Sequence, residues 1–404
     1  MIAMGTSTRA ALVAPVRTAV GRFGGALKDV PAATLAKTVL AETVSRSGID
    51  PERIDDVAMG QSYANSEAPC IGRWAALDAG LPISVAGLQT DRRCGTGLQA
   101  VVTAAMMVQT GAADVVVAGG VESMSSIEHY TTGARWGTRA GGLQLFDRLD
   151  RGRERSQPEW RFGPISGMIE TAENVAARYE ITRAESDILA AESHRRAHEA
   201  WETGRFDAEV VPVEVTDRKG NVTKFVRDEG IRPDTTPESL AKLRAVTPGG
   251  VVTAGNASQQ NDAAAAVLVV AEDRLDELGL EPIGFLDGWT AAGCDPALMG
   301  LGPVAAVEKL FARNGYGFDD FELVELNEAF ACQVLGVLRG WGWDDRDRLN
   351  VNGSGISLGH PIGATGVRML TTALYELQRR GGGRALLTMC IGGGQGMAAA
   401  ITSV

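Results

Sequence analysis

Short apolar runs bounded by glycine or polar residues recur along the chain, in the pattern typical of buried parallel strands. Segments with helical spacing of apolar residues lie between them, so the sequence predicts an α/β fold. The predicted strands are Ala11–Ala14, Val57–Gly60, Val115–Ala118, Ala265–Val270, Leu323–Leu326 and Ala385–Met389. The predicted helices include Ala33–Ser47, Gly97–Thr110, Pro303–Asn314 and Gly366–Arg380.

Two stretches of the chain share one layout. The first runs from Cys94 to Ser123 and the second from Gly359 to Gly396. Each places a reactive residue beside glycines, then an apolar helix, a polar turn with glycine, a buried strand and a group of glycines. We interpret the two stretches as copies of one duplicated α/β unit. The alternative is that any two strand–helix–strand units look alike at this level.

The middle of the chain, about 125–250, has a different pattern. It holds three of the tryptophans, most of the charge runs and the stretch DRGRERSQPEWR. We expect an inserted, loop-rich segment between two α/β halves, with one helix starting at Thr171. Such a segment is a natural place for contacts with a cofactor.

Composition narrows the class of protein. The 404 residues carry a net charge of -11, which argues against a nucleic-acid-binding protein because those normally carry a basic surface. Five scattered cysteines without a CxxC motif are typical of a reduced compartment. The sequence contains no run of 18 apolar residues and no secretory apolar region near its start, so we expect no membrane span and a cytoplasmic protein.

Glycine is unusually frequent, at 50 residues against a typical ~7% of a chain. Cys94 lies in TDRRCGTGLQA, next to Gly95 and close to Gly97, directly before a predicted helix. A helix N-terminus lowers the pKa of a thiol, so Cys94 is a candidate nucleophile. The alternative is an inert, buried cysteine that serves as a small apolar residue.

Three more polar residues lie at glycine-rich or strand-end positions. His360, in NGSGISLGHPIGATG, is a candidate base for a thiol nucleophile, although a single histidine is more often structural. Cys390 ends a predicted strand before a glycine triplet that could bind an oxyanion. Asn327 follows another predicted strand, where it could hold a water or cap a turn. His194 and His198 lack further ligands, so we expect no metal site.

Several motifs occur in a fixed order along the chain. They are the Cys94 turn, then NEAF, GHP and CIGGGQG, accompanied by ALVAPVRTAVGRFGGAL, VAGGVESMS, DEGIRPDTTPESLAKLR and TAGNASQQND. On these motifs the chain resembles the thiolase family over nearly its whole length. The resemblance implies a duplicated, five-layered α/β fold with mixed sheets. It places the N-terminal half at 1–270, including the insertion, and the C-terminal half at 278–404.

The resemblance also implies an acyltransferase with a two-step, ping-pong mechanism. Cys94 would become acylated by a 3-oxoacyl-CoA after activation by His360, and a second CoA would remove the acyl group. Cys390 would transfer the proton at the α-carbon of acetyl-CoA. One oxyanion hole would use His360 and a water held by Asn327; the other would use the backbone N–H groups of Cys94 and Gly392.

For coenzyme A as a co-substrate, the family pattern implies a set of binding residues. The set comprises Arg232, Ser239, Ala254 and Ser258 along the cofactor, with Met168, Met299 and Ala329 near the thioester. Arg232 could equally be a surface charge, and the two methionines could be core residues. The resemblance further implies no permanently bound cofactor or metal, a homodimer or homotetramer, and a role in fatty-acid metabolism.

The chain departs from the usual thiolase pattern near the substrate. Asp91-Arg92-Arg93-Cys94-Gly95-Thr96-Gly97 stands where N-R-x-C-S-S-G is common, and Ile169-Glu170 follows Met168 where Met-Gly-x-Thr is usual. These changes leave the acyl specificity open. The alternatives are a ketosynthase-type condensing enzyme, a non-catalytic acyl-CoA-binding or lipid-binding homologue, and a thiol redox protein using Cys94 and Cys390.

Overall fold

The apolar runs of the sequence form strands of one continuous mixed sheet. The computed structural model describes residues 8–404, so the first seven residues of the predicted N-terminal half lie outside the described residues. The strands are β1 Ala10–Thr18, β2 Gly21–Arg22, β3 Asp56–Gly60, β4 Leu88–Thr90, β5 Val115–Ser123, β6 His129–Tyr130, β7 Phe146–Asp147, β8 Val210–Val211, β9 Val213–Thr216, β10 Val222–Phe225, β11 Asn261–Ala271, β12 Gly284–Gly293, β13 Leu323–Leu326, β14 Gly383–Ile391 and β15 Gln395–Ser403.

Helices cover both faces of this sheet. They are α1 Ala32–Ser47, α2 Ile71–Asp78, α3 Thr96–Gln109, α4 Arg148–Glu154, α5 Glu159–Phe162, α6 Met168–Arg178, α7 Arg183–Glu202, α8 Pro237–Leu240, α9 Leu275–Leu278, α10 Gly302–Asn314, α11 Ala331–Trp341 and α12 Thr365–Arg380. All six strands and all four helices predicted from the sequence are present, with ends shifted by a few residues.

The sheet shows the duplication directly. Its order is β13-β14-β15-β12-β1-β11-β5-β3-β4, so β1-β11-β5-β3 in one half corresponds to β12-β15-β14-β13 in the other. The two halves meet where Ala10–Leu12 of β1 pairs antiparallel with Gly284–Leu286 of β12. The duplicated architecture with mixed sheets is therefore confirmed.

The two halves share a central helical layer. Helices α3 and α12 contact each other, and each also packs on strands of the sheet. Their apolar residues form one buried cluster with side chains from β5, β11, β14 and β15. A second cluster lies under α1 and a third under α10 and α11. This gives the five layers expected, with α3 and α12 in the middle, and it brings the N-termini of these two helices together.

The inserted segment contains more helix than the sequence indicated. It holds α4 to α8, and α7 alone has 20 residues, starting at a capping box between Thr182 and Glu185. The helix start predicted at Thr171 is wrong, because α6 begins at Met168. Gly167 precedes it with φ 146°, a conformation that favours glycine, and the Thr171 hydroxyl donates to the Met168 carbonyl from inside the first turn.

Candidate active site

Cys94 lies in a short helical turn, Arg93–Gly95, that leads directly into α3. Arg93 has φ 47°, a left-handed conformation that is uncommon for a residue with a side chain. Asp91 holds this turn by accepting hydrogen bonds from the Arg93 N–H at 2.7 Å and the Thr96 hydroxyl at 3.4 Å. The acid that distinguishes this chain from the common pattern therefore supports the backbone of the turn that carries Cys94.

The thiol of Cys94 is partly exposed, and two backbone N–H groups point at it. Burial raises the pKa of Cys94, while hydrogen bonds from the N–H groups of Gly392 and Cys94 itself, with nearby Arg93, lower it in part. The net pKa of Cys94 is therefore raised although N–H groups at the start of the helix lower it, because the cost of desolvating a thiolate is larger. The two N–H groups are those expected to form an oxyanion hole.

His360 lies in a buried loop between α11 and α12, and its neighbours determine how it can act. Its Nδ1 lies 2.7 Å from the Thr365 hydroxyl, and that hydroxyl donates to the Pro361 carbonyl at 3.0 Å. The hydroxyl proton is therefore engaged, so we assign the imidazole proton to Nδ1, which donates to Thr365. This leaves Nε2 as an acceptor, and it has no hydrogen-bond partner within residues 8–404.

Burial, together with the nearby charges of Arg368 and Arg153, lowers the pKa of His360 to about 3. The imidazole is therefore neutral at physiological pH. The main chain of the His360 loop is held by strand β11, since the His360 N–H donates to the Asn261 side chain at 2.8 Å. A neutral, oriented imidazole with a free acceptor atom has the properties of a general base.

Asn327 and Cys390 lie in the same buried region. The Asn327 amide nitrogen is 3.4 Å from His360 Nδ1, and its carbonyl oxygen has no partner within the described part of the chain. Cys390 is fully buried near the end of β14, where burial raises its pKa well above normal and the charges of Cys94 and Cys294 act in the same direction. The site therefore holds two thiols that are both protonated at rest.

Close backbone contacts bring the two halves of the site together. A side chain at Gly97 of α3 would stand 2.8 Å from the Gly363 carbonyl in the His360 loop, so only glycine fits. Glu122, at the end of β5, accepts hydrogen bonds from the N–H groups of Ser62, Tyr63 and Gly363. Burial raises the pKa of Glu122 to about 8. Glu122 and Gly97 thus connect the nucleophile's surroundings to the loop of the base.

The structure groups the other candidate residues in two places. Met168 lines the same cavity as Cys94 and Gly392, with its sulfur beside Gly392. Met299 and Ala329 are buried in the apolar cluster that also contains Cys390. The Ser258 N–H donates to the Ala329 carbonyl at 2.8 Å, which places it next to the NEAF turn.

The remaining CoA-binding candidates lie at the surface. Arg232, Ser239 and Ala254 are exposed and do not line the cavity at Cys94. The Arg232 N–H donates to the His194 ring, and the Ser239 hydroxyl takes part in the cap of α8. All three therefore lie at the surface rather than at the thiols.

Sequence reasoning missed the residues that support the reacting groups. Thr365 lies only five positions after His360 in the GHPIGAT motif, so its spacing could have indicated a partner for the ring. Asn261 and Glu122 lie on strands of the other half, and no local signal connects them to His360. The expectation for His194 and His198 concerned a metal; within residues 8–404 no group of three metal-binding side chains is present.

Comparison with known proteins identifies the family. A sequence model described as the thiolase N-terminal domain matches residues 10–273, and the thiolase C-terminal domain matches residues 280–403. The chain belongs to the thiolase family. It is an acyltransferase enzyme, and the identification of the family and the fold from the sequence is confirmed. The condensing-enzyme and non-catalytic alternatives find no support.

Individual relatives agree over their whole length. An acetyl-CoA acetyltransferase of Chromobacterium violaceum is 44% identical over 97% of this chain and 98% of its own. A beta-ketothiolase of Cupriavidus necator is 44% identical over 96% of this chain and 97% of its own. Among solved structures, the Bacillus anthracis acetyl-CoA acetyltransferase has a TM-score of 0.94 at 41% identity, covering 98% of this chain and 99% of its own.

A structure of human mitochondrial 3-ketoacyl-CoA thiolase in complex with CoA has a TM-score of 0.91 at 38% identity, covering 98% of each chain. In this thiolase, no helix within residues 8–404 is long and apolar enough to cross a membrane.

Proposed function

We propose that this thiolase cleaves 3-oxoacyl-CoA with free CoA to acetyl-CoA and a shortened acyl-CoA, and catalyses the reverse Claisen condensation, through an acyl group carried on Cys94. One observation supports this above all others. Turns from both halves of the fold bring two protonated thiols, a neutral imidazole and two backbone N–H groups that point at the Cys94 thiol to one site.

The first half-reaction begins with a proton transfer. His360 Nε2 takes the proton of Cys94, and the thiolate attacks the C3 carbonyl of the substrate. Since the pKa of Cys94 is raised and that of His360 is lowered, the thiolate–imidazolium pair is unfavourable at rest. The thiolate therefore forms only as it attacks. The negative charge that develops on the carbonyl oxygen is stabilised by the N–H groups of Cys94 and Gly392.

The C2–C3 bond then breaks. Cys390 protonates the C2 carbon, so acetyl-CoA leaves and the shortened acyl group stays on Cys94. The oxygen of the departing enolate is stabilised by His360 with a water held by Asn327, whose side-chain oxygen is free. In the second half-reaction the thiol of CoA gives its proton to the Cys390 thiolate and attacks the acyl–Cys94 thioester, and the leaving Cys94 thiolate takes back its proton from His360.

For CoA we propose the set implied by the family pattern. Arg232 and Ser239 contact the nucleotide end, Ala254 and Ser258 contact the pantetheine arm, and Met168, Met299 and Ala329 surround the thioester. The gradient from exposed Arg232 to half-buried Ser258 and buried Ala329 supports a ligand that enters from the surface. CoA is a co-substrate here, without a resident cofactor or metal.

We further propose a homodimer or homotetramer in the cytoplasm, with neither a membrane nor a nucleic acid as partner. The proposed halves are 1–270 and 278–404, with the insertion at about 125–250. The symmetric strand order of the two halves supports the division.

The test is the loss of turnover in Cys94→Ala. We expect CoA-dependent cleavage of acetoacetyl-CoA to fall to background, and the intact wild-type protein to gain the mass of an acetyl group on Cys94 when CoA is withheld. Cys70→Ser, at an exposed thiol outside the site, is the matched control and should retain full activity. Full turnover in Cys94→Ala would contradict the proposal.

A further inference from the structure

The thiol of Cys94 opens onto a cavity of about 630 Å³ whose outer wall is strongly cationic. The protein as a whole is acidic, with a net charge of -11, so this local concentration is distinctive. Two carboxylates, Asp91 and Glu128, are also present. The five arginines that line the cavity, which we call the arginine wall, are Arg93, Arg148, Arg151, Arg153 and Arg155.

The five guanidinium groups of the wall outnumber the two carboxylates of the cavity, so the carboxylates offset only part of its charge. Asp91 holds the turn of the nucleophile through the Arg93 N–H and Thr96. Glu128 forms an ion pair with Arg148 at 2.8 Å, and Arg148 also donates to the Ala64 carbonyl. Among the described residues, four arginines therefore form no ion pair with a carboxylate that lines the cavity.

Two of these four contact groups that carry no charge. Arg151 stacks on Phe146, 3.5 Å from the ring centroid, and Arg93 donates to the Gly152 carbonyl at 3.2 Å. Of the whole wall, only Arg148 and Arg153 form ion pairs in the part of the chain that the structure describes. The partner of Arg153 is Asp150, whose side chain is 67% exposed, so solvent weakens that pair.

The charges of the arginine wall influence the pKa values of the thiol and the imidazole. Arg93 and Arg153 both act to lower the pKa of Cys94, and Arg153 also acts to lower the pKa of His360. Arg153 is therefore close enough for its field to act on the nucleophile and the base together. An acyl group on Cys94 that ends in an anionic group a few atoms beyond the thioester would place that anion among these guanidinium groups.

The wall also stands apart from the proposed CoA contacts. Arg232, Ser239, Ala254 and Ser258 do not line this cavity, whereas Cys94, Gly392 and Met168 do. Guanidinium groups bind carboxylates in a bidentate manner, and Arg is the residue of choice for such recognition. The space beyond the thiol is thus suited to an acyl group rather than to the nucleotide of CoA.

We infer that this thiolase prefers 3-oxoacyl-CoA substrates whose acyl chain carries a carboxylate at the end remote from the thioester, bound by the arginine wall. The inference rests on the proposed function and specifies its substrate class. The C2–C3 bond breaks as before, acetyl-CoA leaves with the proton from Cys390, and the carboxylated acyl group passes from Cys94 to CoA. The remote carboxylate is unchanged.

The experiment compares two substrates that share CoA and chain length. One is 3-oxohexanoyl-CoA, and the other carries a carboxylate at the far end of the same six-carbon chain. We expect the wild type to favour the carboxylated substrate in kcat/KM by about tenfold or more, the effect of one or more charge-assisted hydrogen bonds. Arg153→Gln and Arg151→Gln should each reduce this ratio by about tenfold, and Arg153→Lys should keep part of it.

Arg178→Gln, at an exposed position on α6 outside the cavity, is the control and should leave the ratio unchanged. A wild type that prefers the neutral substrate would overturn the inference. An equal loss for both substrates in Arg153→Gln would also overturn it, because the arginine would then serve CoA or the fold. Cleavage of acetoacetyl-CoA by the wild type separates the outcomes, since its absence would instead contradict the proposed function.

Discussion

The cavity at Cys94 is bounded by two regions that differ in burial and charge. The first region consists of Cys94, His360, Cys390 and Asn327 from the duplicated core, and we call it the catalytic floor. All of its residues except Cys94 are buried. The arginine wall comes mainly from α4 in the inserted segment and is partly exposed. Burial keeps the thiols and the imidazole neutral, whereas the partly exposed guanidinium groups keep their charge.

This difference separates the residues that act in the reaction from the residues that select the substrate. A neutral floor suits any 3-oxoacyl thioester, because it acts on the thioester and the adjacent ketone that all such substrates share. A charged wall acts on the remote part of the acyl group, which varies between substrates. Changes in the floor should therefore affect all substrates alike, and changes in the wall should alter their ratio.

After the loss of Cys94 itself, the largest loss of activity is expected from substitution of His360. In His360→Asn the general base is removed, so kcat/KM should fall by about 10²–10⁴. The decrease should be the same for the neutral and the carboxylated six-carbon substrate, measured by steady-state kinetics. The same substitution at His198, half-buried on α7 and away from the cavity, should leave both values unchanged. A decrease confined to one substrate would contradict the separation of floor and wall.

A smaller effect is expected at Thr365, which we regard as a positioning residue for His360. Thr365→Val removes the oxygen 2.7 Å from Nδ1, so the ring loses the contact that fixes its tautomer. We expect kcat to fall by about tenfold with little change in KM, again equally for both substrates. The measurement is kcat against pH for both substrates.

Thr365→Ser keeps the hydroxyl and should restore most of the activity. Thr371→Val removes another hydroxyl of α12 that donates to the backbone, and it serves as a control for loss of stability. If Thr365→Ser were as impaired as Thr365→Val, the hydroxyl would not be the group that matters.

The floor could be predicted from the sequence much more fully than the wall. Each reacting group of the floor lies on a glycine-rich or strand-end turn within a few residues of a strongly apolar segment, so the local pattern marks it. The wall joins Arg93 to residues 148–155, and only the fold brings these together. The sequence showed DRGRERSQPEWR as a charge run, and nothing local distinguishes a cavity lining from a solvated surface.

The same contrast applies to the fold. Buried strands such as β5 and β11 were predicted because nearly every residue in them is apolar or small. Strand β12 was missed, since Asp287 and three glycines interrupt its apolar pattern, although it joins the two halves of the sheet. Helix α7 is rich in charged residues and is stabilised by its capping box and by contacts with α8 and α11, which periodicity alone does not reveal.

The smallest expected effect tests the neutrality of the floor through stability. The folded protein holds the pKa of His360 at about 3, whereas an exposed histidine has its usual pKa of 6.5. Above pH 6.5 neither state binds this proton. As the pH falls below 6.5 the unfolded chain binds it and the folded protein does not, so the folded state loses stability until about pH 3. His360→Asn lacks this contribution, which is worth about 3 kcal/mol at pH 4.5 for a buried group, from two pH units at about 1.4 kcal/mol each. Urea unfolding at pH 7 and pH 4.5, at matched protein concentration, should therefore show the variant losing less stability on acidification than the wild type. Because the other buried titratable groups are common to both proteins, they cancel in this difference. Equal losses would mean that His360 is protonated in the folded protein at pH 4.5, and the floor would then differ from the wall in burial but not in charge.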